Sequence, residues 1–335
     1  MSARVALVGI GLHGGRIAHE LLSAGHQLIG AADPAHAGRP ISDLIDHELA
    51  PATPVAADAT ALLDCEKPDL AIVTAPVDLE GLGAIATKLL DAGIDVLTIH
   101  PDAFDPPPAW AELIDEHART GGASFLSTGV QDVWWVHVPA VAAAATSRLR
   151  RVEIEHAADM GALSIGLGNG FGFDRPEEEF TRVRDEVLLT EESVLGGPMR
   201  VLARRLGLTP EELNREYTPL IATEPVAWPS ADTVVEPGRL IGFTEIVTFT
   251  ADAVQFSGRL RTALLTPGML PSDRVTLHGD PVITLEHKPF PGDRITDLVP
   301  VARIDDIRAA PPGLHTAASM PPASYRHRPT PDLAR

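Results

Sequence analysis

The run Arg4–Val8 (R-V-A-L-V) leads straight into Gly9-Ile10-Gly11-Leu12-His13-Gly14. From Gly14 to Ala24, Ile17, Ala18, Leu21 and Leu22 fall on one face of a helix. A short apolar run ahead of a turn reads as a strand buried on both faces. Glycines in the order G-x-G-x-x-G between strand and helix serve three ends. Gly9 permits the tight turn. Gly11 removes a side chain, so a pyrophosphate can approach the backbone. Gly14 lets helix and strand pack closely. The start of the helix then offers unpaired N–H groups and partial positive charge to the phosphates. The second strand, Leu28–Ala32, stops at Asp33, whose carboxylate is placed to accept hydrogen bonds from a ribose. These parts together predict a dinucleotide site.

The alternation continues downstream. Strands are predicted at Pro54–Ala57, Asp69–Thr74, Asp95–Ile99 and Ser124–Leu126, with helices at Leu79–Ala92, Pro108–Arg119 and Val133–Ala145. That order implies an α/β fold, a Rossmann doubly wound parallel sheet, over residues 1–148. Past about residue 150 the pattern changes to a second α+β domain, 149–294, built on an open mixed sheet. Val152–Ala158, Ile241–Thr250, Ala253–Leu264 and Arg274–His278 read as its strands. Gly161–Phe173 reads as a glycine-rich loop, and Pro176–Arg184, Glu191–Leu206 and Pro210–Tyr217 as helices. Leu298–Ala310 is helical, and the segment 295–335 is expected to pack back on the first domain.

Composition narrows the functional classes. A net charge of -19 repels nucleic acid and anionic membrane surfaces, so neither is expected as a partner. The single cysteine, Cys65, rules out an intrachain disulfide and a multi-cysteine zinc site. No apolar run is long enough to span a bilayer, and the first strand begins too early to leave room for a signal peptide. A cytoplasmic enzyme without a metal is the expectation.

Ligands on doubly wound sheets bind beyond the carboxyl ends of the strands. That rule selects Gly9–Gly14 with Leu12 and His13, Asp33, Thr74-Ala75-Pro76, His100 to Asp102, and Thr128 to Asp132. Asp33 favours NAD over NADP because its charge repels a 2′-phosphate; nearby Arg39 would act in the opposite sense, or simply be solvated. Position alone assigns Thr74, Ala75 and Pro76 to the nicotinamide ribose.

Several stretches together carry a resemblance. They are the N-terminal fingerprint, A-A-D-P-A-H-A-G-R (31–39), K-P-D-L-A-I-V-T-A (67–75), D-A-G-I-D-V-L-T-I (91–99), S-T-G-V-Q-D (127–132), I-T-D-L-V-P-V-A-R-I (295–304) and A-P-P-G-L-H-T (310–316). In order and spacing they resemble the 2,4-diaminopentanoate dehydrogenase and native amine dehydrogenase group, which is related to dihydrodipicolinate reductase. The resemblance implies hydride exchange between NAD or NADP and a carbon–nitrogen centre. The substrate would be a small amine or carbonyl compound, seated between the nicotinamide and the second domain. It also implies a homo-oligomer, a dimer, formed through the open sheet. Two departures fall where substrate is expected. Paired acids after the fifth predicted strand become His100-Pro101-Asp102, and G-V-N-P-G-F becomes Gly129-Val130-Gln131-Asp132-Val133-Trp134. The paired histidines and lysine of the dihydrodipicolinate reductases are missing; His137 and His156 stand alone.

Such chemistry needs a proton relay and a group that stabilises a cationic imine. Asp102 reads either as that carboxylate or as a helix cap. His100 reads either as the proton shuttle or as a histidine bonded to a backbone carbonyl. Asp132 reads as a second carboxylate or as a cap for the following helix. The resemblance assigns Gln131 to the nicotinamide carboxamide. Of Trp134 and Trp135, one packs in the core and the other walls an apolar pocket, over which Phe171 and Phe173 would close or beneath which they would simply pack. The basic tail Tyr325-Arg326-His327-Arg328 reads as a phosphate contact or a solvated end. The leading expectation is amine oxidation or imine reduction with NAD or NADP. The alternatives are reduction of a cyclic imine or other unsaturated intermediate, and dinucleotide binding without catalysis.

Overall fold

A computed structural model describes residues 2–64, 66–162, 165–190, 192–266 and 269–325. Cys65, Glu191 and Arg326–Arg328 of the basic tail lie outside these. In chain order the first elements are β1 (Arg4–Val8), α1 (Leu12–Ser23), β2 (Gln27–Ala32), β3 (Leu70–Val73), α2 (Leu79–Asp91), β4 (Asp95–Thr98), α3 (Pro108–Gly121) and β5 (Ser124–Ser127). Then come α4 (Val138–Ala143), β6 (Ser147–Asp159), α5 (Ile165–Gly170), α6 (Phe180–Val183), α7 (Gly196–Arg205), β7 (Asn214–Ile221), β8 (Val226–Trp228) and β9 (Thr233–Val235). The last are β10 (Leu240–Ala251), β11 (Val254–Ala263), β12 (Ser272–Asp280), β13 (Ile283–His287), α8 (Gly292–Ala309) and β14 (Gly313–His315). The chain divides into two compact units, Met1–His137 with Asp293–Arg335, and Val138–Gly292.

The first unit is a six-stranded sheet in the order β14-β5-β4-β3-β1-β2, with every pair parallel. Its strands are apolar on both faces because both are covered. Val5, Leu7, Ile72, Leu97 and Leu126 pack with Ile17 and Leu21 of α1 and with Val301, Ile304 and Ile307 of α8. Ala6, Val8, Val73, Val96 and Phe125 pack on the other side with Leu82, Ala86 and Leu89 of α2 and Ile114 of α3. Each of the Val, Leu, Ile and Phe side chains among them, once buried, contributes about 1.5–3 kcal/mol. The chain leaves β1 for strands on both sides, β2 and β3. This is the topological switch point, and its crevice opens where the glycine turn leaves β1.

Two sequence expectations fail in this unit. Pro54–Ala57 forms only isolated bridges, Ala32 to Ala56 and Pro40 to Pro54, so it is not a sheet strand. The sixth strand instead comes from Gly313–His315, whose three residues align along β5. There Asp115 Oδ1 on α3 accepts the Leu314 N–H at 2.9 Å.

The second unit carries a six-stranded mixed sheet, β13-β12-β6-β11-β10-β7, and a two-stranded ribbon, β8-β9. Only the β6–β11 pair is parallel. Along β10 and β11 the inward residues Phe243, Val247, Phe249, Phe256 and Leu260 are buried. The alternate face is polar, with Arg259, Glu155, Arg274 and Glu286 exposed. Pro210–Tyr217, expected as helix, forms β7 from Asn214 onward. Its residues pair antiparallel with β10, Tyr217 opposite Glu245, and this pairing overrides the helical preference of E-E-L-N-R-E. Pro219 is tolerated because β7 lies at the sheet edge. The expected Gly161–Phe173 loop contains α5, and the predicted helix from Glu191 is confined to α7. The ribbon strands, three residues each, are too short to be read from alternation, and β13 was not singled out.

Phe173 is fully buried, with its ring tilted against Trp228 at 5.9 Å, and Phe171 packs on the same cluster. Both therefore serve as packing for the second unit. Phe173→Ala should destabilise this unit by about 3–5 kcal/mol in urea unfolding followed by tryptophan fluorescence. An unfolding midpoint equal to that of the parent would contradict the packing role.

Candidate functional site

The site is built at the carboxyl edge of the parallel sheet, and hydroxyl groups tie its rim together strand by strand. Ser127 Oγ donates to the His100 carbonyl at 2.9 Å. Thr98 Oγ1 donates to the Val73 carbonyl at 2.9 Å and accepts the His100 N–H at 3.1 Å. Thr74 Oγ1 donates to the Gly9 carbonyl at 2.9 Å. The ends of β5, β4, β3 and β1 are thus held in one register around the crevice.

The three glycines have different surroundings. Gly9 adopts φ +96°, and a Cβ there would lie 2.7 Å from the Ala75 nitrogen. A Cβ on Gly14 would lie 2.1 Å from the Gly9 carbonyl oxygen. A Cβ on Gly11 would meet nothing within 4 Å. The outer glycines are therefore demanded by the protein's own packing. Gly11 is not, and the space above it fits an approaching phosphate. Among the described residues no side chain caps α1, and no acid stands in its first turn, so the N-terminal donors are left for an anion. Leu12 is exposed beside them.

Asp33 holds the turn from the next strand. Its Oδ2 accepts the Ile10 N–H at 2.8 Å and its Oδ1 accepts the Ala35 N–H at 2.8 Å. Partial burial pushes this carboxyl up. The two backbone donors and His36, 3.4 Å from Oδ1, outweigh that and hold it below the usual carboxylate range. Asp33 is accordingly charged at neutral pH, with lone pairs still available to ribose hydroxyls. Arg39 is exposed, and among the described residues its guanidinium has no ion-pair partner.

His100 and Asp102 follow β4. The His100 Nε2 lies 2.7 Å from the Val77 carbonyl, which can only accept, so Nε2 carries the proton in the neutral ring. Nδ1 is then an acceptor; it is buried and has no hydrogen-bond partner among the described residues. His100 also serves as the N-cap residue of the short turn Pro101–Ala103, in which Asp102 is half-buried. Asp102 is thus in the first turn and is not its N-cap.

Asp132 has a different task. Arg303 of α8 grips it with Nε on Oδ2 and Nη2 on Oδ1, both at 2.7 Å, and Thr128 Oγ1 donates to Oδ2 at 2.7 Å. His137 Nε2 lies 3.1 Å from Oδ1. Burial pushes this carboxyl up, but His137, Arg303 and Thr128 together draw it below the ordinary range. Fully buried and surrounded by donors, Asp132 anchors the end of β5 to α8. Its three hydrogen bonds and full burial leave it poorly placed to bind a substrate amine, and it lies inside the helical turn Gln131–His137 and does not cap it. Gln131 is buried beside it, its Oε1 only 2.8 Å from where a Cβ on Gly129 would lie. Trp135 is buried, whereas Trp134 is only half-buried.

Residues of α8 were not singled out from sequence, although the stretch 295–304 carried part of the resemblance. Thr296 Oγ1 accepts the Val130 N–H at 3.4 Å, and Asp297 Oδ1 lies 2.7 Å from His13 Nδ1. Together with Arg303, they bring α8 to both ligand-edge turns. The available signal was the presence of Asp297 and Arg303 among the apolar positions Val301, Ile304 and Ile307.

The amine dehydrogenase of Mycobacterium smegmatis superimposes over 97% of this chain and 98% of its own, with a TM-score of 0.89 and 24% identity. The chain shares that enzyme's fold. A biliverdin reductase from Synechocystis, solved with biliverdin and NADP+, matches with a TM-score of 0.55 and 14% identity over 85% of this chain and 80% of its own. A probable dehydrogenase from Thermotoga maritima matches with a TM-score of 0.62 and 12% identity over 94% and 92%. No family model matches the chain, and no curated protein matches it in sequence. Among the described residues no helix is long and apolar enough to cross a membrane, and no three metal-ligating side chains gather.

The contrast between the glycines is directly measurable. Gly14→Ala should lower stability by several kcal/mol, roughly 3 or more, because backbone must move. Gly11→Ala should leave the unfolding free energy within about 0.5 kcal/mol of the parent. Equal loss of stability in both variants would show that the turn is misassigned.

Proposed function

We propose that the chain is a nicotinamide-dependent oxidoreductase acting on a carbon–nitrogen centre of a small amine or amino acid, with NAD preferred to NADP. The observation that carries the reading is the open space above Gly11 at the uncapped start of α1, with the charged Asp33 one strand away. Gly11, Leu12, His13 and Gly14 would hold the pyrophosphate, and Asp33 the adenosine ribose. The Asp33 charge disfavours a 2′-phosphate, and Arg39 alone offsets it only from an exposed position. Thr74, Ala75 and Pro76 border the turn on the nicotinamide side, and Gln131 is a candidate for the carboxamide.

When bound, the coenzyme would supply hydride exchange with the carbon that carries nitrogen. The remaining tasks belong to side chains. Amine oxidation releases a proton, and His100 Nδ1 is an acceptor whose ring is fixed by the Val77 carbonyl. Asp102 supplies negative charge near a cationic amine or iminium. The choice of a carbon–nitrogen substrate is supported by the motifs at 91–99 and 295–304 and by the fold shared with an amine dehydrogenase.

The test is reduction of NAD by a panel of small amines, with the reverse reaction run on carbonyl compounds plus ammonia. Asp102→Ala should lower kcat about 100-fold or more while leaving the Kd for NADH within about twofold. Undiminished turnover would remove Asp102 from the mechanism. Coenzyme binding with no turnover across amines, carbonyls and ready-made cyclic imines would favour a non-catalytic dinucleotide protein.

A further inference from the structure

His13 lies in the first turn of the phosphate-binding helix, yet its ring is tied to a helix nearly the whole chain away. Its Nδ1 is 2.7 Å from Oδ1 of Asp297, which is fully buried. A carboxylate only accepts, so Nδ1 must carry a proton. The other ring nitrogen, Nε2, has no protein partner among the described residues, and the side chain is one-third exposed. Among the described residues the second oxygen of Asp297 has no hydrogen bond, and its nearest cation is Arg16 Nη1 at 3.6 Å. Buried negative charge is thus shared between His13 and Arg16, both on α1 beside the glycine turn.

We propose that Asp297 is a positioning residue for the coenzyme, holding His13 as an imidazolium whose free Nε2–H meets a phosphate of the dinucleotide. The inference rests on the dinucleotide reading above and adds a pH dependence to it. The Asp297 carboxylate holds the His13 imidazole above its ordinary range, partly offset by burial. The other charges facing the ring are Asp293 on α8, which also favours the cation, and Arg16 on α1, which opposes it. Arg294 of α8 is paired with Glu20 of α1 at 2.7 Å and is largely neutralised. The sign follows directly. Below the His13 pKa the ring donates a charge-assisted bond to phosphate; above it Nε2 is a bare acceptor that repels phosphate oxygen. Coenzyme affinity therefore falls as pH rises through that pKa.

The experiment is a fluorescence titration of the full chain with NADH between pH 6 and pH 9, paired with NMR titration of the His13 ring without coenzyme. The parent Kd should rise roughly tenfold across that range, the size of one charge-assisted hydrogen bond. Asp297→Asn should move both the binding step and the ring titration to lower pH. Because that variant alters a buried group, His13→Gln and His13→Lys provide a second route. The glutamine variant should bind weakly, and the lysine variant tightly, with neither showing the step. A parent whose NADH affinity is independent of pH, or a His13→Gln variant that keeps the step, overturns the proposal while the dinucleotide site stands. Failure of the parent to bind NADH at any pH overturns both.

Discussion

The close approach of α1 to the end of β1 is the constraint from which the site follows. The Gly9 carbonyl sits where a side chain on Gly14 would be, and the Thr74 hydroxyl fixes that carbonyl in place. With the helix drawn this near, its uncapped N-terminus lies at the end of β1, where the strand order switches between β1 and β3, and Gly11 is left bare there. Asp33 completes the arrangement by receiving the Ile10 N–H, so the acid that would meet a ribose also holds the turn that would meet the phosphates. Structure and the proposed ligand recognition would thus share the same few atoms.

The C-terminal helix is the second organising element. It covers one face of the sheet, and it grips the turns after β1 and β5 through Asp297, Thr296 and Arg303. The Arg303–Asp132 pair is buried, bidentate and supported by Thr128. Such a pair adds little net stability over an apolar substitute, but removing one partner leaves a stranded charge costing about 3–5 kcal/mol. Its value here is registry: one helix, threaded back from the far end of the chain, fixes where two loops lie.

The part of the fold that was legible in the sequence was the part written in local periodicity. β1, β3, β4 and β5 are apolar on both faces, and their helices have one apolar stripe, so the parallel sheet could be read from spacing alone. The glycine turn and Asp33 were legible because their chemistry is local too. β7 was misread because E-E-L-N-R-E favours helix until β10 offers an edge to pair with. Pro54–Ala57 was misread because its alternation is cut short by Pro54 and its neighbour is a bridge and not a ladder. Asp132 looked like a free acid or a cap because its partner, Arg303, is 171 residues away. No spacing rule joins them. His100 follows β4 at the carboxyl edge of the sheet, but only its bond to the Val77 carbonyl fixes which ring nitrogen carries the proton. Of the aromatics beside the glycines, Phe173 becomes core against Trp228 and Phe171 packs half-buried on the same cluster.

The central claim is that a nicotinamide dinucleotide rests on the Gly9–Gly14 turn with its adenosine ribose on Asp33. Isothermal calorimetry of the unmodified chain with NADH and NADPH in parallel tests it most directly. The account predicts one site per chain, with NADH bound in the micromolar range and more tightly than NADPH. Absence of binding heat for both nucleotides, together with no competition between either and a fluorescent dinucleotide analogue, would contradict it.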